Sequence, residues 1–307
     1  MSKVAFVFPG QGSQYVGMGK DIFEQDNLVQ ELYYQAQEVL GYDLSEICFY
    51  GPENRLLLTE ITQPAVLITS LAVLKLLSRK GIEPNSVAGH SLGEYSALAA
   101  AGSVEFQDAV SLVARRGRWM TEAVEPGRGA MAAVLGLSAE RVEELCAAAS
   151  GTVQIANYNC PGQYVISGDN ETVEAAAAAA KDSGAKKVVF LKVSGPFHSS
   201  LMAPVGFKLR DALDKVRFQA PKCRFYANVT GEYIDSSEQI KELLVQQVQR
   251  PVRWEQTVKN MIADGVDTFI EVGPGKVLSG LIRKISRDVR VANVEDWKSL
   301  QALGEKF

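Results

Sequence analysis

Three observations predict an α/β fold with a mainly parallel sheet and a smaller ferredoxin-like unit inserted into it. Strand-like and helix-like segments alternate along most of the chain, the signature of βαβ units. A G-x-S-x-G pentapeptide, Gly89-His90-Ser91-Leu92-Gly93, lies between the apolar run Val87-Ala88 and a helix-like stretch from Glu94 to Ala101. The middle of the chain reads β-α-β-β-α-β.

The first strand is Val4 to Phe8, followed by a glycine- and glutamine-containing loop from Gly10 to Gly19 and helical segments to about Leu40. Gln63 to Arg79 is aliphatic on most faces, so it reads as a helix buried inside the larger unit. A turn from Gly81 to Asn85, the short strand, Ser91 and its helix come next, then a helix from Glu105 to Ala123 ending near Pro126-Gly127. The inserted unit comprises strand Ala130 to Leu135, helix Ala139 to Ala149, strand Val153 to Asn157, a turn at Cys160-Pro161-Gly162, strand Tyr164 to Ser167, helix Glu171 to Asp182 and strand Lys187 to Val193. The alanine run Ala175 to Ala180 is helix-forming composition, closed by Lys181, Gly184 and Lys186. Beyond Ser194 we expect a helix from Ala203 to Lys215, a strand from Arg224 to Asn228, helices from Ser237 to Val245 and Pro251 to Asp264, a strand from Thr268 to Val272, and a helix opened by Gly273-Pro274-Gly275.

With 307 residues and 47% hydrophobic content the chain can bury a sizeable core. Its net charge of −4 comes from 32 basic and 36 acidic residues mixed along the chain, which indicates no broad cationic face for nucleic acid or anionic membrane and leaves room for local basic patches. The longest apolar stretches are interrupted within about ten residues, short of the roughly 20 that cross a bilayer. The start lacks a signal peptide's long apolar region and reads as a strand. Cys48, Cys146, Cys160 and Cys223 lie far apart without C-x-x-C spacing or histidine companions. They read as free thiols in a reducing cytosol, with no metal site and with Cys160 a weaker candidate nucleophile.

A serine on a sharp strand-to-helix turn exposes its hydroxyl and aims the next N–H, that of Leu92, at the oxygen of an attacked carbonyl. Ser91 needs a base. Of the two histidines, His90 adjoins Ser91 on the elbow and points elsewhere, whereas His198 lies in the loop Ser194-Gly195-Pro196-Phe197-His198-Ser199 at a domain junction, facing a cleft. No acidic residue presents itself as a third member: Asp211 and Asp214 lie in a helix, and Asp169, Asp235, Asp264 and Asp267 lie near turns. The loop Pro9-Gly10-Gln11-Gly12-Ser13-Gln14 follows the first strand, where a backbone N–H could approach an oxyanion; it matches no phosphate-loop spacing. Arg115, Arg116 and Arg118 share a helix, and one turned inward would clamp a carboxylate bidentately. Composition does not choose among them.

These segments together resemble the malonyl-CoA:acyl carrier protein transacylases of fatty acid synthesis, with the acyltransferase domains of polyketide synthases as relatives. The resemblance covers essentially the whole chain, through Phe8 to Gln14, Thr62 to Ala65, Gly89 to Glu94, Arg116-Gly117, Gly129 to Ala133, Ile155 to Asn157, Gly162 to Gly168, His198, Asn228-Val229, Pro251 to Trp254 and Glu271 to Lys276. It implies an α/β-hydrolase-like catalytic core from residues 1–125 and 198–307 with a ferredoxin-like subdomain at 126–197. It also implies that Ser91 is the nucleophile, that His198 is its base and acid, and that the N–H groups of Gln11 and Leu92 form the oxyanion hole. Arg116, 25 residues after Ser91, matches the carboxylate-binding arginine, and Gln247 matches a glutamine whose main-chain carbonyl orients the histidine. Met120, Phe197, Asn157, Asn159 and Gln63 would line the pocket. In polyketide relatives an aromatic residue at the Phe197 position accompanies malonyl preference.

The implied reaction is ping-pong: malonyl-CoA acylates Ser91, and the phosphopantetheine thiol of acyl carrier protein takes the malonyl group away. No cofactor is expected, coenzyme A thioester being the substrate. The expected partners are malonyl-CoA and an acidic carrier protein, the latter meeting a basic patch at Lys186 and Lys187 or at Arg283, Lys284, Arg287 and Arg290. Nothing demands more than a cytoplasmic monomer. Two other readings stay open: the same chemistry serving a polyketide carrier, and a serine hydrolase or thioesterase, against which Arg116 argues.

Overall fold

The computed structural model describes residues 2–304. Its strands are β1 (Val4–Phe8), β2 (Ser86–Gly89), β3 (Gly129–Leu135), β4 (Val153–Cys160), β5 (Gln163–Asp169), β6 (Lys187–Phe190), β7 (Arg224–Tyr226), β8 (Tyr233–Ile234), β9 (Thr268–Val272) and β10 (Arg290–Val294). A six-stranded sheet runs in the order β10-β9-β1-β2-β7-β8. All its pairings are parallel except that of β8 with β7. Side chains alternate between its faces: Phe6 and Phe8 enter one core with Leu67, Leu98 and Val113, while Ala5, Val7 and Phe269 enter the other with Trp254, Met261 and Ile282. Both faces are covered, as a parallel sheet requires.

The four-stranded sheet has the order β4-β5-β3-β6 with every pairing antiparallel. That order, with helices at Ala139–Ala148 and Asn170–Asp182 between its strands, is a ferredoxin-like βαββαβ arrangement. The alanine run packs: Ala176, Ala177 and Ala180 are buried with Val134, Val142 and Ile166. Two backbone bonds join this sheet to the segment entering the last third of the chain, Val252 N–H to Ala156 C=O at 2.8 Å and Tyr158 N–H to Val252 C=O at 2.9 Å.

Most element boundaries fall within two residues of expectation, and the differences have physical causes. The buried helix spans Thr59–Arg79, opening four residues before Gln63. Pro64 lies inside this helix at its sixth position, so the Glu60 carbonyl lacks the N–H that would close its turn. This helix is long and apolar enough to cross a membrane by length and composition, contrary to the expectation that no stretch would be; 83% of that window is buried in the protein core. The expected helix Pro251 to Asp264 begins only at Trp254, because residues 251–253 are held beside β4. The region 41–58 yields two short helices, Leu44–Tyr50 and Glu53–Leu56, which carry no clear period in sequence. The small strand β8, the edge strand β10 and the helix Trp297–Gly304 likewise carried no strong sequence signal.

Parallel pairing positions the site. Phe8 at the carboxyl end of β1 lies beside Gly89 at the carboxyl end of β2, so the Gly10 loop and the Ser91 turn leave the sheet at the same edge. They touch closely. A Cβ on Gly93 would lie 2.1 Å from the Phe8 carbonyl oxygen, so glycine is required where the helix starting there crosses the first strand.

Candidate active site

Ser91 lies between β2 and the helix Gly93–Ala100 with φ 52°, a left-handed conformation that costs a non-glycine residue free energy. Both of its peptide groups are gripped by side chains. Its N–H donates to Asn228 Oδ1 at 2.7 Å, and its C=O accepts from Gln247 Nε2 at 2.8 Å. The Asn228 amide in turn donates to the Gly89 carbonyl at 2.6 Å, tying the elbow to the strand that feeds it.

His198 has φ 58° and is buried. Its Nδ1 lies 2.7 Å from the Gln247 main-chain oxygen. A carbonyl only accepts, so Nδ1 carries the proton and Nε2 presents its lone pair to the Ser91 hydroxyl, 2.7 Å away. Burial first, and the Arg116 charge second, hold the imidazole pKa down at about 3, so the ring is neutral and available as a base across the physiological range. The loop is anchored from the second sheet: Gln154 on β4 donates to the carbonyls of His198 and Gln249, at 3.0 and 3.2 Å.

Of the three arginines, Arg116 turns inward. It is 1% exposed, with the guanidinium carbon 5.6 Å from the centre of the Tyr95 ring. One terminal nitrogen donates to Gln63 Oε1 at 2.8 Å; the other donates to Gln247 Oε1 at 2.9 Å and to the Ser91 hydroxyl at 3.3 Å. Its Nε has no hydrogen-bond partner among the described residues. Arg115 instead lies over Trp119, and Arg118 is exposed. The phase of the helix Phe106–Glu122 makes this selection, since Arg116 shares its buried face with Val113, Gly117 and Met120.

A cavity of about 100 Å³ opens over Ser91 and His198, lined also by Gln11, Gln63, Leu92, Arg116, Met120, Asn157 and Phe197. It is small beside the roughly 300–1,000 Å³ of sites for drug-sized ligands, which suits a short acyl group. Among the described residues the backbone N–H groups of Gln11 and Leu92 have no hydrogen-bond acceptor, an arrangement that could serve an oxyanion. The Gln11 side chain reaches across to Thr59 Oγ1 at 3.1 Å. Asn159 sits one step away: it accepts from His90 Nε2 at 2.9 Å and lines an adjoining cavity of about 240 Å³ that shares Gln11, His90, Asn157 and Leu191 with the first. His90 packs edge-on against Trp254. The described cysteines are unpaired, and the Cys160 thiol is pushed up by burial, away from thiolate chemistry.

Two residues of the site were not singled out by role in the sequence. Glu94, on the first turn of the elbow helix, and Asn228, after β7, are both buried against Ser91's supports. Their signal was membership in matched segments, Gly89 to Glu94 and Asn228-Val229, with no chemistry of their own to mark a role.

A model of the acyl transferase domain matches residues 5–305. The malonyl CoA-acyl carrier protein transacylase of Bacillus subtilis is 47% identical over 304 residues, covering 98% of this chain and 96% of its own. The solved acyl carrier protein S-malonyltransferase of Vibrio cholerae has a TM-score of 0.96 at 44% identity, covering 98% of this chain and all of its own. A malonyl-transacylase solved in complex with its type II polyketide synthase acyl-carrier protein has a TM-score of 0.97 at 42% identity, with full coverage of both chains. The chain therefore belongs to the acyl transferase family, among the malonyl CoA-acyl carrier protein transacylases.

Proposed function

We propose that this protein transfers a malonyl group from malonyl-CoA to the phosphopantetheine thiol of acyl carrier protein, through an ester on Ser91, supplying malonyl units for fatty acid synthesis. The observation that carries the reading is Arg116, a buried guanidinium 3.3 Å from the Ser91 hydroxyl with its Nε unpartnered. An acyl group ending in a carboxylate brings this buried cation an anionic partner in the cavity it lines, whereas acetyl brings none and leaves the charge uncompensated there, which is costly.

In the first half-reaction the Ser91 oxygen attacks the thioester carbonyl while His198 Nε2 takes its proton. The developing oxyanion is received by the N–H groups of Gln11 and Leu92. Collapse breaks the C–S bond, and the imidazolium protonates the departing coenzyme A sulfur. In the second half-reaction His198 takes the proton of the carrier thiol, the thiolate attacks the ester, and the proton returns to Ser91. Gln247 keeps the ring in the required tautomer by accepting from Nδ1 throughout. Met120, Phe197, Gln63 and Asn157 shape the cavity, with Asn159 at its approach. The domain reading is a catalytic core from 1–125 and 198–307 around a subdomain at 126–197, which supplies the Asn157 wall and the Gln154 anchor.

No cofactor enters this scheme. The unpaired cysteines suit a reducing compartment, here taken as the cytoplasm, and one chain supplies every residue of the scheme, so a monomer suffices. A second reading is favoured by the neighbour solved with a polyketide carrier: the same transfer to a polyketide acyl carrier protein. Incubation with malonyl-CoA followed by peptide mass spectrometry tests the core claim through a malonyl increment on Ser91, and transfer rates to each type of carrier protein separate the two readings. An unmodified Ser91 would remove both.

A further inference from the structure

Ser91's two peptide groups are held by the side chains of Asn228 and Gln247, and both of those residues are held by one buried carboxyl. Glu94 Oε1 accepts from the Asn228 backbone N–H at 3.2 Å, and Glu94 Oε2 accepts from Gln247 Nε2. Gln247 is the hub of the site. Its Nε2 also supports the Ser91 carbonyl, its Oε1 accepts from Arg116, and its main-chain oxygen accepts from His198. We propose that Glu94 is a positioning residue, whose carboxylate, by accepting at both oxygens, sets the Gln247 amide and through it the Ser91 backbone, the His198 ring and the Arg116 guanidinium.

The argument is one of donors and acceptors. A carboxylate only accepts, so it turns Gln247 Nε2 inward and leaves Oε1 facing Arg116, where an acceptor is needed. A protonated or amidated side chain keeps an acceptor at one end but sets a donor at the other, against a neighbour that is itself a donor, Gln247 Nε2 or the Asn228 N–H. Satisfying it would flip the Gln247 amide and place an N–H against the guanidinium. The charged group facing Glu94 from another element is Arg116; Tyr95 is its titratable neighbour on its own helix, and His198 lies beyond Gln247. Burial raises the Glu94 carboxyl to about 7, with the hydrogen bonds from Asn228 and Gln247 and the Arg116 charge opposing. A raised acid ionises only above that pH, so the competent arrangement is lost as pH falls through about 7. His198, held near 3, is not the source of that loss.

The test is a pH series from 5 to 9 on wild type and Glu94→Gln, read twice: as malonyl transfer from malonyl-CoA, and as the rate of Ser91 sulfonylation by phenylmethylsulfonyl fluoride, which needs the Ser91 and His198 couple but no acyl-CoA. The inference rests on the transferase reading only for the first readout, so failure of malonyl loading leaves the second to decide it. Wild type should lose rate on the acid side near pH 7 in both. Glu94→Gln should be slower by roughly 10–100-fold at pH 8, as for other residues that orient a reacting group from behind, with the acid limb gone. Where Glu94→Gln does not fold, Glu94→Asp keeps the charge and should keep the limb at a reduced rate. A purely structural role would lower the melting temperature and leave the pH profile unmoved. A wild-type profile flat near pH 7, a limb that persists in Glu94→Gln, or full rate in Glu94→Asp overturns the proposal.

Discussion

Ser91 and His198 are the two non-glycine residues of the described chain that hold positive φ, 52° and 58°, and they share a 2.7 Å hydrogen bond. Strain is therefore placed on both partners of that hydrogen bond. It persists because the surroundings over-determine both backbones: Asn228 and Gln247 grip Ser91, while the His198 N–H donates to the Val248 carbonyl at 3.0 Å and its carbonyl accepts from Gln154.

Removal of either partner should stop acyl transfer with little effect on the fold. Ser91→Ala and His198→Ala are each expected to lower malonyl transfer by at least roughly 10³-fold, and the double variant should be hardly worse than either alone, since the two act as a unit. Steady-state rates of the three variants check this; additive losses would count against a shared role.

Arg116→Ala should lower malonyl loading by roughly 10²-fold, the size expected on losing charge-assisted hydrogen bonds, and should relax discrimination against acetyl-CoA. Competition between the two thioesters for Ser91 is the measurement. Unchanged selectivity would remove the arginine from substrate recognition. Arg116→Lys should recover little, because an ammonium cannot reach Gln63, Gln247 and a carboxylate with one planar fork.

Phe197 is buried on the cavity wall next to His198. Phe197→Ser enlarges the space beside the acyl α-carbon, so the ratio of methylmalonyl to malonyl loading should rise by roughly 10-fold, the scale of one methyl group in an apolar pocket. Mass spectrometry of Ser91 after exposure to mixed thioesters reads that ratio.

Opposed shifts on His198 and Glu94 predict a compensation in stability. His198 is lowered from 6.5 to about 3, so the unfolded chain binds the extra proton between those values and stability from this group falls as pH drops below about 6.5. Glu94 is raised from 4.5 to about 7, so the folded chain binds the extra proton and stability from this group rises as pH drops through that window. Between about pH 4.5 and 6.5 the two slopes, each roughly 1.4 kcal/mol per pH unit, cancel. Urea unfolding across that range should show Glu94→Gln gaining stability with rising pH relative to wild type, and His198→Gln losing it. Parallel curves for all three proteins would show that neither group is shifted as described.

Much of the site is legible in the chain because it depends on local backbone chemistry. Gly89, Ser91 and Gly93 specify a turn that only glycine-flanked residues can make, and the apolar run before it specifies the strand that presents it. With two histidines in the chain, the candidate base narrows to His198. By contrast the arginines at 115, 116 and 118 differ only in helical phase, which packing of the helix against Thr59–Arg79 resolves. Glu94 and Asn228 are common polar residues whose meaning comes from partners more than 130 positions away.

The sequence by itself determined the strand-and-helix order, the elbow, the candidate serine and the candidate base, since these follow from periodicity, turn chemistry and scarcity of residue types. Tertiary structure decided the rest: that β1 and β2 lie side by side so that Gln11 and Leu92 line one cavity, that Arg116 faces inward, and that one buried carboxyl accepts from both Asn228 and Gln247. The physical reason is range. Backbone conformation is fixed within a few residues, whereas a buried polar network closes only when every distant donor finds its acceptor.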